Sequence, residues 1–235
     1  MKTFADKVID FNKKLEFHGT LPNGVSIMNP FRENKDVISI SSAFYKKFYS
    51  DNRKRHLILG INPGRFGAGL TGVPFTDPKR LIAKCHIPYQ GKETHEPSSV
   101  FVYEMIDAFG GADEFYKHFY IHSICPLGFT ATNDKGKEVN YNYYDSKELT
   151  AAVYDFIIDN IHKQIAMGVE TDICFCFGTG KNEKFLRETN AEHKFFKKII
   201  ALEHPRFIMQ YKAKTKQFYI DKYLSAFSQV DTAEA

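Results

Sequence analysis

Four short apolar runs, separated by segments with helical periodicity, constrain the fold of this chain most strongly. The runs cover residues 56–61, 119–124, 172–177 and 198–203. An alternation of strands with helices is typical of a mostly parallel sheet that carries helices on both faces. The 235 residues suffice for one domain with a full core. We therefore predict an α/β chain with one domain over residues 1–227 and a disordered tail over residues 228–235.

The segments between the strands carry helix signals and one long interruption. The interruption, residues 129–147, is polar and rich in Tyr, and we interpret it as a single long loop. Capping residues and apolar spacing predict helices over residues 2–16, from Ser41 or Ser42 to about 49, from Ser98 or Ser99 to 109, from 145 or 146 to about 166, from 181 to about 187, and from 215 to about 227.

Polar residues follow three of the apolar runs where each run ends. Asn62 lies in a Gly- and Pro-rich stretch, residues 60–75, while Ser123 and His204 end or follow later runs. Ligands of open parallel sheets bind at the carboxyl ends of the strands. Glycine allows close approach of backbone to a ligand. Taken singly, Asn62 would be an ordinary loop residue and His204 a strand-end residue, but their combination with the Gly- and Pro-rich stretch predicts one site.

Charge and cysteine content restrict the partners and cofactors of the chain. The formal net charge is only +4, but residues 181–216 hold ten Lys and Arg against four Glu. Such a segment suits a surface that neutralises phosphates, although solvated helix faces also explain it. Cys174 and Cys176 are two residues apart, which is not a metal-binding spacing, so we expect reduced thiols and no metal.

The apolar segments of the chain are short. No run of 18 apolar residues occurs, and the first residues lack the apolar core of a signal peptide. We therefore expect no membrane association and a cytoplasmic location.

Several motifs carry a resemblance to a known family. They are Asn62-Pro63-Gly64 with Phe66-Gly67, Thr71-Gly72-Val73-Pro74-Phe75, Cys125-Pro126-Leu127 and His204-Pro205. In order and spacing, over residues 55–225, they resemble the uracil-DNA glycosylase superfamily, closest to the single-strand-selective monofunctional branch and its bacterial second group. The resemblance implies an α/β/α sandwich with a central four-stranded parallel sheet. It also implies a monofunctional hydrolase without cofactor that removes uracil from DNA at the nucleoid and leaves an abasic site.

The resemblance assigns roles by position. Asn62 corresponds to the residue that orients the attacking water, and His204 to the donor that stabilises the departing base. Substrate-binding positions would be Ile61, Gly64, Phe66, Phe75 and Ser123, with Phe75 stacked on the extruded base and Gly64 leaving room beside C5 of a pyrimidine. Expected DNA contacts are Pro63, Arg65, Pro205, Arg206, Phe207, Lys181, Lys212 and Lys214.

Two positions depart from the family pattern. Ser123 stands where the family has an Asn that reads the uracil edge, and one hydroxyl cannot make both contacts of an amide. We therefore expect looser recognition that extends to xanthine or 5-substituted uracils. Arg206-Phe207 directly follows His204-Pro205, where the family has Ser-Pro before its Arg, so the wedge that fills the vacated stack is shorter.

Other functions remain open beside this one. A nucleotide-binding protein would use the Gly-rich loop as a cradle, but the dinucleotide and phosphate-loop fingerprints are absent from the sequence. A catalytically silent DNA-binding homologue would keep the fold and lose base recognition at Ser123. A Ser hydrolase would need a Gly-x-Ser-x-Gly elbow, which the sequence lacks. We expect a monomer that binds single- or double-stranded DNA.

Overall fold

The computed structural model describes residues 2–230. Its strands are β1 Val25–Met28, β2 His56–Gly60, β3 Phe119–Ser123, β4 Gly128–Thr132, β5 Glu138–Tyr141, β6 Glu170–Phe177 and β7 Lys198–Leu202. Its helices are α1 Phe4–Lys14, α2 Pro30–Glu33, α3 Lys35–Phe48, α4 Ala68–Thr71, α5 Pro78–Cys85, α6 Pro97–Phe109, α7 Ala112–His118, α8 Lys147–Ala166, α9 Lys181–His193, α10 Pro205–Tyr211 and α11 Lys216–Phe227.

The four predicted strands form one parallel sheet in the order β3-β2-β6-β7. Helices flank this sheet, so the predicted α/β fold with a four-stranded parallel sheet is confirmed. Nearly all residues of β2 and β3 are buried, as are the last five residues of β6, as expected for strands covered on both faces. The parallel arrangement brings the carboxyl ends of β2, β3 and β7 to the same edge.

Capping side chains define where several helices begin. Thr3 and Asp6 form a capping box at α1, and the Ser146 hydroxyl accepts from the N–H of Leu149 at α8. Helix α3 begins earlier than predicted, because the side chain of Asn34 accepts from the N–H of Asp36 and Ser41 is buried inside the helix.

Two further helix ends differ from the prediction. Helix α6 begins at Pro97, a favoured first residue of a helix, rather than after Ser98 or Ser99. Helix α9 ends at His193, six residues beyond the predicted end at Arg187, with Lys194 in the left-handed conformation as its cap.

The prediction of a single loop over residues 129–147 is wrong, because this segment contains two strands. Strands β4 and β5 pair as an antiparallel hairpin, and β1 adds to β4 to complete a second, three-stranded sheet. The hairpin turn is built on Asn133, whose side-chain oxygen accepts from the N–H groups of Lys135 and Lys137. Gly136 adopts a φ of 70°, which an L-side chain disfavours. The polar composition concealed these strands because one face of the hairpin is solvated.

The core continues past the predicted domain end at residue 227. Val230 is 5 % exposed and joins the aromatic cluster of Phe119, Phe175 and Phe227 through the core. The disordered tail predicted over residues 228–235 therefore starts too early, and residues 231–235 lie outside the described part of the chain. Within residues 2–230, no helix has both the length and the apolar character needed to cross a membrane.

Candidate active site at the carboxyl edge of the sheet

A cleft of about 540 Å³ opens at the carboxyl ends of β2, β3 and β7. It brings together residues that are far apart in the sequence, including Asn62, Ser123 and His204. Other predicted site residues in its walls are Ile61, Pro63, Gly64, Phe75, Arg206 and Phe207. The remaining lining residues include Glu96, Ser98, Asn140, Asn142, Tyr144, Gln210 and Tyr211. The expectation that polar residues at strand ends share one site holds in the structure.

Backbone groups of the segment after β5 hold the side chain of Asn62. Its Oδ1 accepts a hydrogen bond of 3.1 Å from the N–H of Tyr143. Its Nδ2 donates to the carbonyl of Tyr141 at 3.3 Å. These two contacts orient the amide, and Oδ1 keeps a second lone pair. Asn62 thus presents a fixed acceptor at the cleft.

The ring of His204 is held by the helix that follows it. Nδ1 accepts a hydrogen bond of 3.1 Å from the N–H of Arg206, so His204 is the N-cap of α10. In the neutral ring the proton therefore lies on Nε2, which remains a donor. Burial, assisted by the Arg206 guanidinium, lowers the pKa of His204 to about 4. The imidazole is neutral near pH 7.

Phe75 forms an aromatic wall beside His204. Their ring centroids are 5.5 Å apart, and Phe177 packs edge-on against Phe75 at 5.7 Å. The Phe75 backbone has a φ of 52°, an uncommon value for an aromatic residue. A Cβ on Gly60 would lie 2.9 Å from the Phe75 ring, so only glycine at this strand end admits the aromatic wall.

Three exposed or half-buried aromatic residues form the rim of the cleft. Phe207 and Tyr211 lie one helical turn apart on α10, are both exposed, and have ring centroids 5.4 Å apart. On another side, the ammonium of Lys181 lies 5.8 Å from the centroid of the Tyr144 ring. Phe207 and Lys181 were predicted from the sequence, whereas no motif marks Tyr144 or Tyr211.

Some predicted residues lie outside the cleft. Phe66, expected to bind substrate, is 53 % exposed and lines a neighbouring depression, stacked under the Arg65 guanidinium. Pro205, expected to contact DNA, is buried as the first residue of α10. Lys212 and Lys214 are exposed in the turn between α10 and α11. The side chains of these four residues therefore do not line the cleft that contains Asn62 and His204.

A half-buried carboxyl group in the cleft wall, that of Glu96, was not predicted from the sequence. Glu96 precedes α6, and its carboxylate packs against the loop so closely that a Cβ at Gly67 would overlap it. Burial and the nearby Asp77 raise the pKa of Glu96 to about 7, against the opposite effect of Arg206 and Arg80. No local sequence signal marks Glu96, because its contact with the loop joins segments about 30 residues apart.

None of the four cysteines lines the cleft. All four cysteines are free and buried, as predicted. Within residues 2–230, no three His, Cys, Asp or Glu side chains are grouped as metal ligands.

Two comparisons with known proteins show the family to which the chain belongs. The family model of the uracil DNA glycosylase superfamily matches residues 46–228, which is most of the chain. The chain is also similar to a crystal structure of wild-type SMUG2 from Pedobacter heparinus. The two share 68 % sequence identity over 97 % of this chain and 98 % of that one, with a TM-score of 0.95. The resemblance inferred from the motifs is thereby confirmed, and the chain belongs to the uracil DNA glycosylase superfamily, in its SMUG-like branch.

Proposed function

We propose that this protein is a monofunctional DNA glycosylase that hydrolyses the N-glycosidic bond of uracil in DNA and leaves an abasic site. Membership of the superfamily supports a DNA glycosylase in general. The observation that carries the proposal is the pair of oriented side chains in one cleft, an acceptor on Asn62 and an Nε2–H donor on His204. Hydrolysis of this bond needs few groups, provided that they are preorganised.

In the proposed reaction, a water molecule adds to C1′ of the deoxyribose. The free lone pair of Asn62 Oδ1 accepts a hydrogen bond from this water and aims its oxygen at C1′. The C1′–N1 bond breaks and its electron pair leaves with the base, where the negative charge spreads to O2. Nε2–H of His204 donates to that oxygen, and the water proton passes to solvent. Asn62 orients the water but is too weak a base to hold the proton.

The base reaches this cleft only after it leaves the helical stack. Phe75 supplies a flat apolar wall for it, and the exposed Phe207 is placed on the first turn of α10 to occupy the vacated space. Arg206 and Lys181 are exposed beside the cleft and would contact the phosphate backbone.

The base spectrum is proposed to be broader than uracil. Ser123 is 5 % exposed and offers one hydroxyl, which donates or accepts as the bound edge requires. Gly64 leaves space in the same wall. We propose that xanthine and 5-substituted uracils are also accepted.

A glycosylase assay tests the proposal directly. Labelled oligonucleotides containing uracil, xanthine or hypoxanthine, single- and double-stranded, are incubated with wild type, Asn62→Ala and His204→Ala, and abasic sites are revealed by hot alkali. Base release by wild type that falls about 10²–10³-fold in each variant supports the proposal. DNA binding without release from any substrate would favour a silent homologue. Absence of both would favour a nucleotide-binding protein.

A further inference from the structure

Asn140 is a cleft residue that no motif marked. It lies in β5, paired with Thr130 of β4, and lines the cleft together with Asn62 and His204. Its hairpin follows β3, one edge strand of the parallel sheet, whereas His204 follows β7, the other edge strand. Asn140 and His204 therefore come from different sheets and meet in the same cleft.

The contacts of Asn140 fix which end of its amide faces the cleft. Oδ1 accepts hydrogen bonds from the backbone N–H of Arg65 at 3.3 Å and from its Nε at 3.2 Å. Arg65 is itself held by Glu138, with Nη1 and the carboxylate 2.8 Å apart. Because both Arg65 groups are donors, the oxygen of the amide must face them. Nδ2 is then turned away from Arg65.

The amide nitrogen has no protein partner in the described part of the chain. Residues 2–230 provide no hydrogen-bond acceptor for it. It lies 3.3 Å from the point that a Cβ on Gly64 would occupy, beside the cleft wall that follows Asn62. The Oε1 atom of Glu96 lies 3.7 Å from the same point, so a glycine here leaves a gap that the amide and the Glu96 carboxylate both border. Asn140 thus presents N–H donors of fixed polarity to whatever enters the cleft.

Fixed polarity is what discrimination between uracil and cytosine requires. Uracil presents a carbonyl oxygen at C4, which accepts a hydrogen bond, whereas cytosine presents an amino group, which donates. The hydroxyl of Ser123 rotates between donor and acceptor and does not separate the two bases. The Asn140 N–H, held in place by Arg65, can donate to the C4 carbonyl of uracil. Against cytosine it would face the C4 amino group, and both donors would then lack an acceptor.

We propose that Asn140 is a specificity-determining residue whose Nδ2 donates to the C4 carbonyl oxygen of the extruded base. The inference rests on the proposed glycosylase function and adds to it a residue that recognises the edge of the base. Arg65 and Glu138 act through Asn140 as positioning residues. This recognition residue lies in the β4–β5 hairpin, not at the strand end that carries Ser123.

The contact between Asn140 and the base can be isolated by a thermodynamic cycle in which one change is made in the protein and the other in the substrate. Single-turnover kcat/KM is measured for wild type and Asn140→Ala on oligonucleotides containing uracil, 4-thiouracil or 2-thiouracil, because sulfur accepts hydrogen bonds more weakly than oxygen. The variant should lose about tenfold or more on uracil and on 2-thiouracil, but less than about threefold on 4-thiouracil. The ratio between substrates does not depend on the folded fraction of the variant.

Two further variants separate the donor from its surroundings. Asn140→Asp keeps oxygens for Arg65 but has no N–H donor, so uracil release should fall at least as far as in Asn140→Ala. Asn133→Asp adds the same charge at the turn of the same hairpin, outside the cleft, and should leave kcat/KM within about twofold of wild type.

Three results would overturn the inference in distinguishable ways. An equal loss on all three substrates would assign Asn140 a purely structural role through Arg65. An unchanged kcat/KM in Asn140→Ala, with wild type active, would remove the contact and leave the glycosylase function standing. No release by wild type from any substrate would overturn the proposed function and this inference with it.

Discussion

The Nδ1 atom of His204 accepts a hydrogen bond of 3.1 Å from the backbone N–H of Arg206. This one contact caps α10 and also sets the tautomer of the ring, which lines the cleft and keeps Nε2 as its N–H donor. Structure and proposed chemistry thus depend on the same side chain through its two different nitrogens.

Replacement of His204 should therefore have two separable effects. His204→Ala should lower the rate of uracil release about 10²–10³-fold and the free energy of unfolding by about 1 kcal/mol. His204→Asn retains a capping oxygen and should regain most of the stability, but its shorter side chain should not restore the rate. Single-turnover assays and thermal melts measure the two effects. Recovery of the rate in His204→Asn would contradict the role of Nε2–H.

The aromatic pair on α10 should contribute to DNA binding. Phe207→Ala and Tyr211→Ala should each weaken binding to a single-stranded oligonucleotide by about 1–3 kcal/mol, because an exposed ring that stacks on a base is lost. Fluorescence anisotropy measures the affinity at fixed salt. Phe218→Ala is the matched control, since Phe218 is at least as exposed as either residue but lies on α11, outside the cleft lining. An equal loss in the control would exclude specific stacking.

Glu96 should make the protein less stable as pH rises. Its pKa is raised from 4.5 to about 7, so the folded state binds more protons than the unfolded state between these values, and stability falls through that window. Glu96→Gln removes this cost. The variant should be more stable than wild type by about 3 kcal/mol at pH 8 but by less than about 1 kcal/mol at pH 5.

Denaturant unfolding at the two pH values measures the effect of Glu96. Glu93→Gln, an exposed residue three positions earlier, is the control and should show no pH-dependent difference. A difference between Glu96→Gln and wild type that is the same at both pH values would show that the Glu96 carboxyl does not titrate in this window.

His122 should make the protein sensitive to acid. It is buried between the rings of Phe11 and Tyr120, and burial lowers its pKa from 6.5 to about 4. The folded state then binds fewer protons, so stability is full above pH 6.5 and is lost as pH falls toward 4. His204 adds to the loss in the same window.

His122→Phe should reduce the loss of stability between pH 6.5 and 4.5 by about 2 kcal/mol relative to wild type. Thermal melts across this range measure it, and the range stays above the lowered pKa of Asp77. His18→Phe, at an exposed position, is the control and should keep the wild-type slope. An unchanged slope in His122→Phe would mean that other groups cause the acid sensitivity.

The four strands of the parallel sheet could be predicted because a strand that is buried on both faces appears in the sequence as a continuous apolar stretch. Asn62, Ser123 and His204 could be placed together because parallel strands end at one edge. The hairpin of β4 and β5 was missed because its strands are short, polar and half solvated. Phe66 was misplaced because the motif gives its position in the chain but not the direction of its side chain, which lies under Arg65 outside the cleft.

The sequence by itself determined the α/β class and the sheet edge that carries the site, because these follow from local patterns and from the general geometry of parallel sheets. The resemblance of its motifs to the family then singled out Asn62 and His204 as the two side chains proposed to act there. Only the tertiary structure decided that Tyr143 orients Asn62, that Glu96 lies against Gly67 and that Asn140 faces the cleft. Each of these is a contact between segments about 30 to 80 residues apart, and such contacts leave no periodicity in the sequence to be recognised.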